Sequence, residues 1–76
     1  GQDTSGSLIG EAAAKSAALS HAGVSEADAS RIRVELDRDD GYTYYEVEFR
    51  VGWTEYEYEI DAYSGSILKA ERDIDD

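Results

Sequence analysis

The 76-residue sequence contains no cysteine, no proline and no methionine, and these absences limit how the chain can be held together. Without cysteine there is neither a disulfide framework nor a thiolate metal site, so packing alone must hold the fold. Without proline, and with seven glycines, the chain suits regular elements joined by tight turns. We expect one domain with a small core, because a chain this short buries only about 60% of the surface that its unfolded form exposes.

Long apolar runs and basic residues are also scarce. No run approaches the roughly 20 apolar residues that cross a bilayer, so we expect no membrane insertion of this segment. Seven Lys and Arg stand against 18 Asp and Glu, which gives a formal net charge of -11. Nucleic acid is therefore not an expected partner, because its binding relies on Lys and Arg contacts to phosphates. The ordinary interpretation of the acidic excess is solubility.

Residues for catalysis are missing as well. One histidine, no cysteine and scattered serines provide no recognisable set of nucleophile, base and orienting group. We therefore expect a chain that is not an enzyme and needs no cofactor. His21 could act as a ligand or proton switch, but the helix dipole alone favours a histidine in the last turn of a helix.

Helix formers dominate residues 10–22, which the sequence predicts to be an α-helix. Gly10 can serve as its N-cap, and Gly23 is placed to end it in a left-handed conformation. Small apolar residues on one face would let the helix approach a sheet closely. They are Ala14, Ala17, Ala18 and Ala22. Residues 25–30 predict a capped or helical turn before the first strand.

From Ile32 the hydrophobic period changes to two, which indicates strands with one apolar and one polar face. The alternation predicts three long strands and a short one, near residues 31–37, 43–51, 55–61 and 66–70. The predicted fold class is α+β, with one N-terminal α-helix packed on an antiparallel sheet of three to four strands. In the last strand Ile67 and Leu68 are adjacent, and which of them points inward stays open.

The predicted turns fix which residues face each other, because a slip of one residue would move every side chain to the other face. A hairpin turn at Asp40 and Gly41 sets Ile32 opposite Phe49, Val34 opposite Val47, and Leu36 opposite Tyr45. A turn centred on Trp53 and Thr54 sets Val47 opposite Ile60, Phe49 opposite Tyr58, and Val51 opposite Tyr56. On the polar face these registers place Arg33 opposite Glu48, Glu35 opposite Glu46, Arg50 opposite Glu57, and Glu48 opposite Glu59.

Three segments, taken in order, resemble the PepSY family over residues 9–76. The stretch IGEAAAKSAALSHAGV resembles the family's opening, an Ile before a capped helix with an A-x-x-x-A core. The stretch ELDRDDG, followed by YYEVEF, resembles its central hairpin. The most specific is YEYEIDAYSGSIL, an aromatic-led strand that runs into Ile-Asp-Ala, a turn with Gly and a short apolar strand. Gly52-Trp53-Thr54 departs from the more polar turn expected of the family.

The resemblance implies a helix packed across an antiparallel sheet, the cystatin-like layout of secreted metallopeptidase propeptides. We accordingly divide the chain into a polar linker or processed N-terminus at 1–8, a PepSY domain at 9–72 and an acidic tail at 73–76. The family implies an extracytoplasmic bacterial protein, secreted, cell-surface or lipid-anchored, that inhibits or modulates a peptidase or another envelope protein. The alternative is a structural or adhesive spacer of a surface protein with no peptidase target.

If the helix takes the apolar sheet face, a partner is expected on the polar face and at the hairpin ends. Trp53 is the predicted apolar anchor. The charged residues of the predicted partner-binding surface are Glu46, Glu48, Arg50, Glu55, Glu57 and Glu59, in a stripe that also contains Arg33 and Glu35.

The sequence predicts no metal site. Asp37, Asp39 and Asp40 invite a calcium interpretation, but Gly41 occupies the fifth position of a would-be EF-hand loop rather than the sixth. A hairpin turn explains this acidic cluster better, and weak calcium binding at the tip stays a minor alternative.

Overall fold

The structure of the protein, a computed structural model, describes residues 1–74. Helix α1 and a short 3-10 turn precede four strands. Their bounds are α1 Glu11–Ala22, the 3-10 turn Glu26–Asp28, β1 Ser30–Asp39, β2 Tyr42–Val51, β3 Thr54–Asp61 and β4 Ile67–Ile74. The strands form one antiparallel sheet in the order β1-β2-β3-β4, and α1 packs across β1, β2 and β3. The predicted α+β fold is confirmed.

Helix α1 ends at Ala22, and the next residue, Gly23, adopts the left-handed conformation that was predicted for it. Gly23 adopts φ 72, and its N–H donates to the carbonyl of Ser20 at 3.1 Å. The N–H of Val24 donates to the carbonyl of Leu19 at 3.0 Å. This pair of bonds is the Schellman motif, which satisfies carbonyls that the last helical turn leaves without a partner.

The core lies between α1 and one face of the sheet, here called the inner face. Its buried members are Ala14, Ala18, Leu19, Tyr45, Val47, Phe49, Tyr58, Ile60 and Ala62. Of the four alanines predicted on one face of α1, Ala14 and Ala18 have no exposed surface, and Ala17 and Ala22 are half-buried against the core. The helix backbone therefore lies close to the strands, as predicted. Ile32 and Val34 are half-buried against this core. Leu36 was predicted to point into the core but is 47% exposed, because it lies on the edge strand β1 nearer the β1–β2 turn than Ile32 and Val34 and does not pack against the core.

The β1–β2 register follows the predicted turn. Asp40 and Gly41 both have positive φ, 52 and 78, as a type I′ hairpin turn requires. Val34 pairs with Val47, and Leu36 pairs with Tyr45. The predicted pairing of Ile32 with Phe49 is not formed. The register shifts between Ser30 and Arg33, at a bulge where Arg31 has φ 52.

The predicted β2–β3 register is wrong by two residues. Val51 pairs with Thr54, so the turn consists of Gly52 and Trp53 rather than Trp53 and Thr54. Gly52 takes φ 60 at the first turn position, which suits a type II′ turn and glycine above all. The observed apolar pairs are Phe49 with Tyr56, Val47 with Tyr58, and Tyr45 with Ile60. A shift of two keeps every side chain on its predicted face, since the side-chain period of a strand is two.

Strand β4 resolves the choice between its two adjacent apolar residues. Ile67 pairs with Ile60 and packs against the core, whereas Leu68 is 42% exposed. The register shifts between Ile60, which pairs with Ile67, and Glu59, which pairs with Lys69. Lys69 therefore faces outward, on the same side of the sheet as Glu59. The strand continues to Ile74, beyond its predicted end near residue 70. Of the predicted acidic tail, residues 75 and 76 lie outside the described residues.

Two residues before α1, Gln2 and Ile9, form hydrogen bonds with the sheet and the loop after β3. The Gln2 amide donates to the Thr43 carbonyl at 2.6 Å and accepts from the Thr43 N–H at 2.9 Å. The Ile9 N–H donates to the Ala62 carbonyl at 2.9 Å. Within residues 1–74, no helix is long and apolar enough to cross a membrane.

Candidate protein-binding face

The outer face of the sheet is the face opposite α1, and alternate residues of all four strands place charged side chains on it. These residues include Arg33, Glu35, Glu46, Glu48, Arg50, Glu55, Glu57, Glu59, Lys69, Glu71 and Asp73. All six charged residues of the predicted partner-binding surface are among them. The structure therefore brings these six side chains onto one face.

Arg33 holds the β1–β2 side of the outer face together. Its Nη2 lies 2.8 Å from a carboxylate oxygen of Glu48 and 3.4 Å from one of Glu46, and its Nη1 lies 3.9 Å from Glu35. The predicted cross-strand pairs of Arg33 with Glu48 and of Glu35 with Glu46 are confirmed. One cation thus offsets part of the repulsion among three carboxylates.

Lys69 performs the same task on the β3–β4 side. Its Nζ lies 3.0 Å from Glu57, 3.4 Å from Glu71 and 3.8 Å from Glu59. Hydrogen bonds to Glu57 and Glu71 raise the pKa of Lys69 to about 12. Sequence reasoning missed this residue, because the inward or outward direction of its neighbours depended on the bulge before it. The sequence did contain a signal for it: Glu55, Glu57 and Glu59 alternate along β3 and so lie on one face, where a nearby cation reduces their mutual repulsion.

Arg50 and Glu55 form the third ionic contact, nearest the Gly52-Trp53 turn. Their side chains meet at 3.1 Å, and the two residues are directly opposite each other. The predicted pairs of Arg50 with Glu57 and of Glu48 with Glu59 are wrong, because the β2–β3 register differs by two residues from the predicted one. Glu48 instead faces Glu57, so like charges still meet at this point of the sheet.

Glu46 and Glu48 are neighbours on the outer face of β2 and titrate as a pair. The pKa of Glu46 is raised to about 6, first by its hydrogen bond with Glu48 and then by burial and the charge of Glu48. The pKa of Glu48 is lowered, chiefly by the same hydrogen bond. Burial acts in the opposite direction, and the hydrogen bond and charge of Arg33 lower the pKa further. Below about pH 6 the proton that the pair retains therefore resides on Glu46, whose O–H donates a hydrogen bond to the Glu48 carboxylate.

A shallow groove of about 710 Å³ crosses the part of the sheet nearest the Gly52-Trp53 turn. Its charged lining includes Glu48, Arg50, Glu55, Glu57, Glu71 and Asp73. Trp53 lies in the turn of the β2–β3 hairpin and is 73% exposed. The predicted anchor is therefore at the edge of the charged face rather than within it.

Two further sequence candidates have structural roles. His21 Nδ1 lies 3.0 Å from the Tyr58 hydroxyl, which is buried against the core. The acidic stretch from Asp37 to Asp40 forms the end of the β1–β2 hairpin, as its turn interpretation predicted. Among residues 1–74, no group of three or more His, Asp or Glu side chains is arranged to hold a metal ion.

The Ile-Asp-Ala segment builds the β3–β4 connection. Asp61 is only 7% exposed, and its carboxylate accepts hydrogen bonds from the N–H groups of Tyr63 at 2.8 Å and Ser64 at 2.9 Å. Burial alone would raise the pKa of Asp61, but these hydrogen bonds outweigh it and lower the pKa. This local fit explains physically why an Asp followed by small and turn-forming residues marks the segment.

A helix on the inner face and an ion-paired outer face define a small α+β domain with one sheet face left open. The sequence profile of the PepSY family, described as peptidase propeptide and YPEB domain, matches residues 8–71, and the chain belongs to this family. PepSY domains are propeptide-type regulatory modules rather than catalytic ones, and they are typically extracytoplasmic.

A relative extends this comparison. "Uncharacterized protein Spy1430" of Streptococcus pyogenes serotype M6 is 48% identical to the chain over 61 residues. The aligned part covers 80% of this chain and 47% of the relative, so the chain spans about half the length of the curated relative that it matches. No solved structure matches the chain.

Proposed function

We propose that the chain is a non-catalytic protein-binding module of an extracytoplasmic bacterial protein and that it inhibits or modulates a secreted or envelope peptidase. Membership of a family described by peptidase propeptides supports the link to a peptidase. The observation that carries the binding role is the open outer face, with its clusters around Arg33 and Lys69 and with Trp53 at its end.

The charged face and the tryptophan contribute in different ways. Exposed ion pairs contribute only about 0–1 kcal/mol each, so the carboxylates chiefly orient and attract a basic partner. A well-placed Trp at an interface can contribute about 2 kcal/mol or more. Trp53 is therefore the expected source of affinity, and the glutamates are the expected source of attraction and orientation. Salt weakens this attraction, because charges are screened beyond about 10 Å at 0.1 M ionic strength.

The test is an inhibition assay against purified secreted peptidases of the bacterium that encodes the chain. We expect the wild-type domain to lower the activity of at least one of them, and Trp53→Ala to weaken this inhibition at least ten-fold. The double variant Glu48→Lys/Glu57→Lys should weaken it as well, most strongly at low salt. Circular dichroism verifies that each variant is folded.

Matched controls separate the proposed surface from general effects. Leu68→Ala removes an exposed apolar side chain far from Trp53, and Asp37→Lys/Asp39→Lys makes the same change of net charge at the opposite hairpin end. Both should leave inhibition within about two-fold of wild type. If Trp53→Ala and Glu48→Lys/Glu57→Lys also leave it unchanged, the proposed surface is wrong. If no peptidase responds to the wild-type domain, the spacer role is favoured.

A further inference from the structure

The sheet has two edges, and they differ in how they are protected. Both β1 and β4 have a neighbour on one side only. Strand β1 carries a bulge at Arg31, and α1 packs against it. Bulges and covering elements are the usual means by which sheet edges avoid pairing with another chain. Strand β4 keeps an unbroken register from Lys69 to Ile74, so its backbone groups are the more available for pairing.

A groove runs beside this open edge on the inner face. Helix α1 packs across β1, β2 and β3, and the inner-face residues Ala70, Arg72 and Ile74 of β4 are exposed. The end of the helix and this strand enclose a groove of about 250 Å³, whose lining includes His21, Ala22, Tyr56, Tyr58, Ala70 and Arg72. Because a cavity of about 150 Å³ holds a benzene molecule, this groove has room for an apolar side chain.

The outer side of β4 has unbalanced charge. Glu71 lies directly opposite Glu57, and Asp73 lies directly opposite Glu55. Like charges that face each other across strands are destabilising. Lys69 contacts Glu57 and Glu71, and Arg50 contacts Glu55, whereas no ion pair is formed by Asp73 within residues 1–74. A cationic side chain placed beyond β4 would relieve this repulsion.

We propose that β4 is a docking edge for an extended segment of a partner protein, which adds to the sheet as a fifth strand. The outward side chains of that segment are Lys or Arg, next to Glu71 and Asp73, and its inward side chains are apolar and enter the groove beside Ala70. Arg72 lines the same groove and disfavours a basic inward side chain. Strand addition of this kind takes affinity from main-chain hydrogen bonds and specificity from alternate side chains.

The charge of the chain argues against a second copy as the occupant. Two chains that each carry a formal charge of -11 repel each other, whereas a basic segment is attracted. The proposal concerns the edge of the sheet rather than Trp53 and its hairpin, so it goes beyond the proposed peptidase-modulating role. Its test uses a synthetic peptide, and its failure would leave the peptidase assay unaffected.

The test measures binding of a labelled ten-residue peptide that alternates valine with lysine. Two matched peptides accompany it: serine with lysine keeps the charge but lacks apolar side chains, and valine with glutamate reverses the charge. We expect the valine–lysine peptide to bind at least ten-fold tighter than either of them in fluorescence anisotropy. Hydrogen exchange of backbone amides in residues 69–73 should slow when it binds.

Protein variants locate the binding. Glu71→Lys and Ala70→Phe should each weaken binding of the valine–lysine peptide at least five-fold. The first reverses the charge next to the bound segment, and the second fills the groove. Glu35→Lys makes the same charge change on the outer face beside the opposite edge and should stay within two-fold of wild type. Equal affinity for the valine–lysine and serine–lysine peptides, equal loss in Glu35→Lys and Glu71→Lys, or no binding of the valine–lysine peptide would overturn the proposal.

Discussion

The two faces of strand β2 use the same backbone for opposite purposes. On the inner face Tyr45 and Val47 are at most 3% exposed and meet α1 or the neighbouring strands. On the outer face the side chains of Glu46, Glu48 and Arg50 are 22–34% exposed and lie among ion pairs. Burial of apolar surface contributes far more to stability than partly exposed ion pairs do. Stability therefore resides mainly on the inner face, and the outer face is the one to which our proposal assigns recognition.

The largest effect is expected from a cavity on the inner face. Ile60 has no exposed surface, and Ile60→Ala should lower the free energy of unfolding by about 2–5 kcal/mol. Small domains have only about 5–15 kcal/mol in total, so the variant should be largely destabilised in a urea titration. Ile74→Ala removes the same atoms from a side chain that is 62% exposed, and should stay within about 0.5 kcal/mol of wild type. Similar losses in both variants would contradict the location of the core.

An intermediate effect is expected at the turn that sets the register of both faces. Gly52 has φ 60, and an added Cβ would meet no atom within 4 Å, so any cost is a backbone cost. Gly52→Ala should lower the free energy of unfolding by about 1–2 kcal/mol. D-alanine introduced at the same position by chemical synthesis favours positive φ and should not destabilise the protein. If L-alanine and D-alanine gave equal stability, the Gly52-Trp53 turn would be wrong.

The smallest effect is expected from protonation on the outer face. The pKa of Glu46 in the folded protein, about 6, lies above its ordinary value of 4.5. A raised pKa means that its contribution to stability is present below about pH 4.5 and is lost as the pH rises through about 6. The stability of the wild type relative to Glu46→Gln should therefore fall over this range, by at most about 1 kcal/mol because the side chain is partly exposed.

The titration itself can be followed by NMR at the Glu46 carboxyl carbon. The midpoint should be near pH 6 in the wild type. Glu48→Gln should move it toward the ordinary value, because the variant removes the neighbouring charge and the carboxylate that accepts the hydrogen bond. A wild-type midpoint near 4.5 would show that the two carboxyl groups do not interact.

The candidate site was partly predictable from the sequence. Period-two alternation assigned Glu46, Glu48 and Arg50 to one face, and that assignment survives any register shift by an even number of residues. The cross-strand partners of Arg50 were not predictable in the same way, since they depend on whether the turn begins at Gly52 or Trp53. Both choices keep apolar residues together, so the hydrophobic pattern could not distinguish them.

By itself the sequence determined the order of elements, the inner and outer faces and the β1–β2 register between Arg33 and the turn, because periodicity and an Asp40-Gly41 turn are local properties. Only the tertiary structure decided the bulge before Lys69, the ion pairs around it and the exposure of Leu36. It also decided that α1 leaves the edge of β4 uncovered. These features depend on where a helix lies across a sheet, which is set by packing between distant segments and by no single stretch of residues.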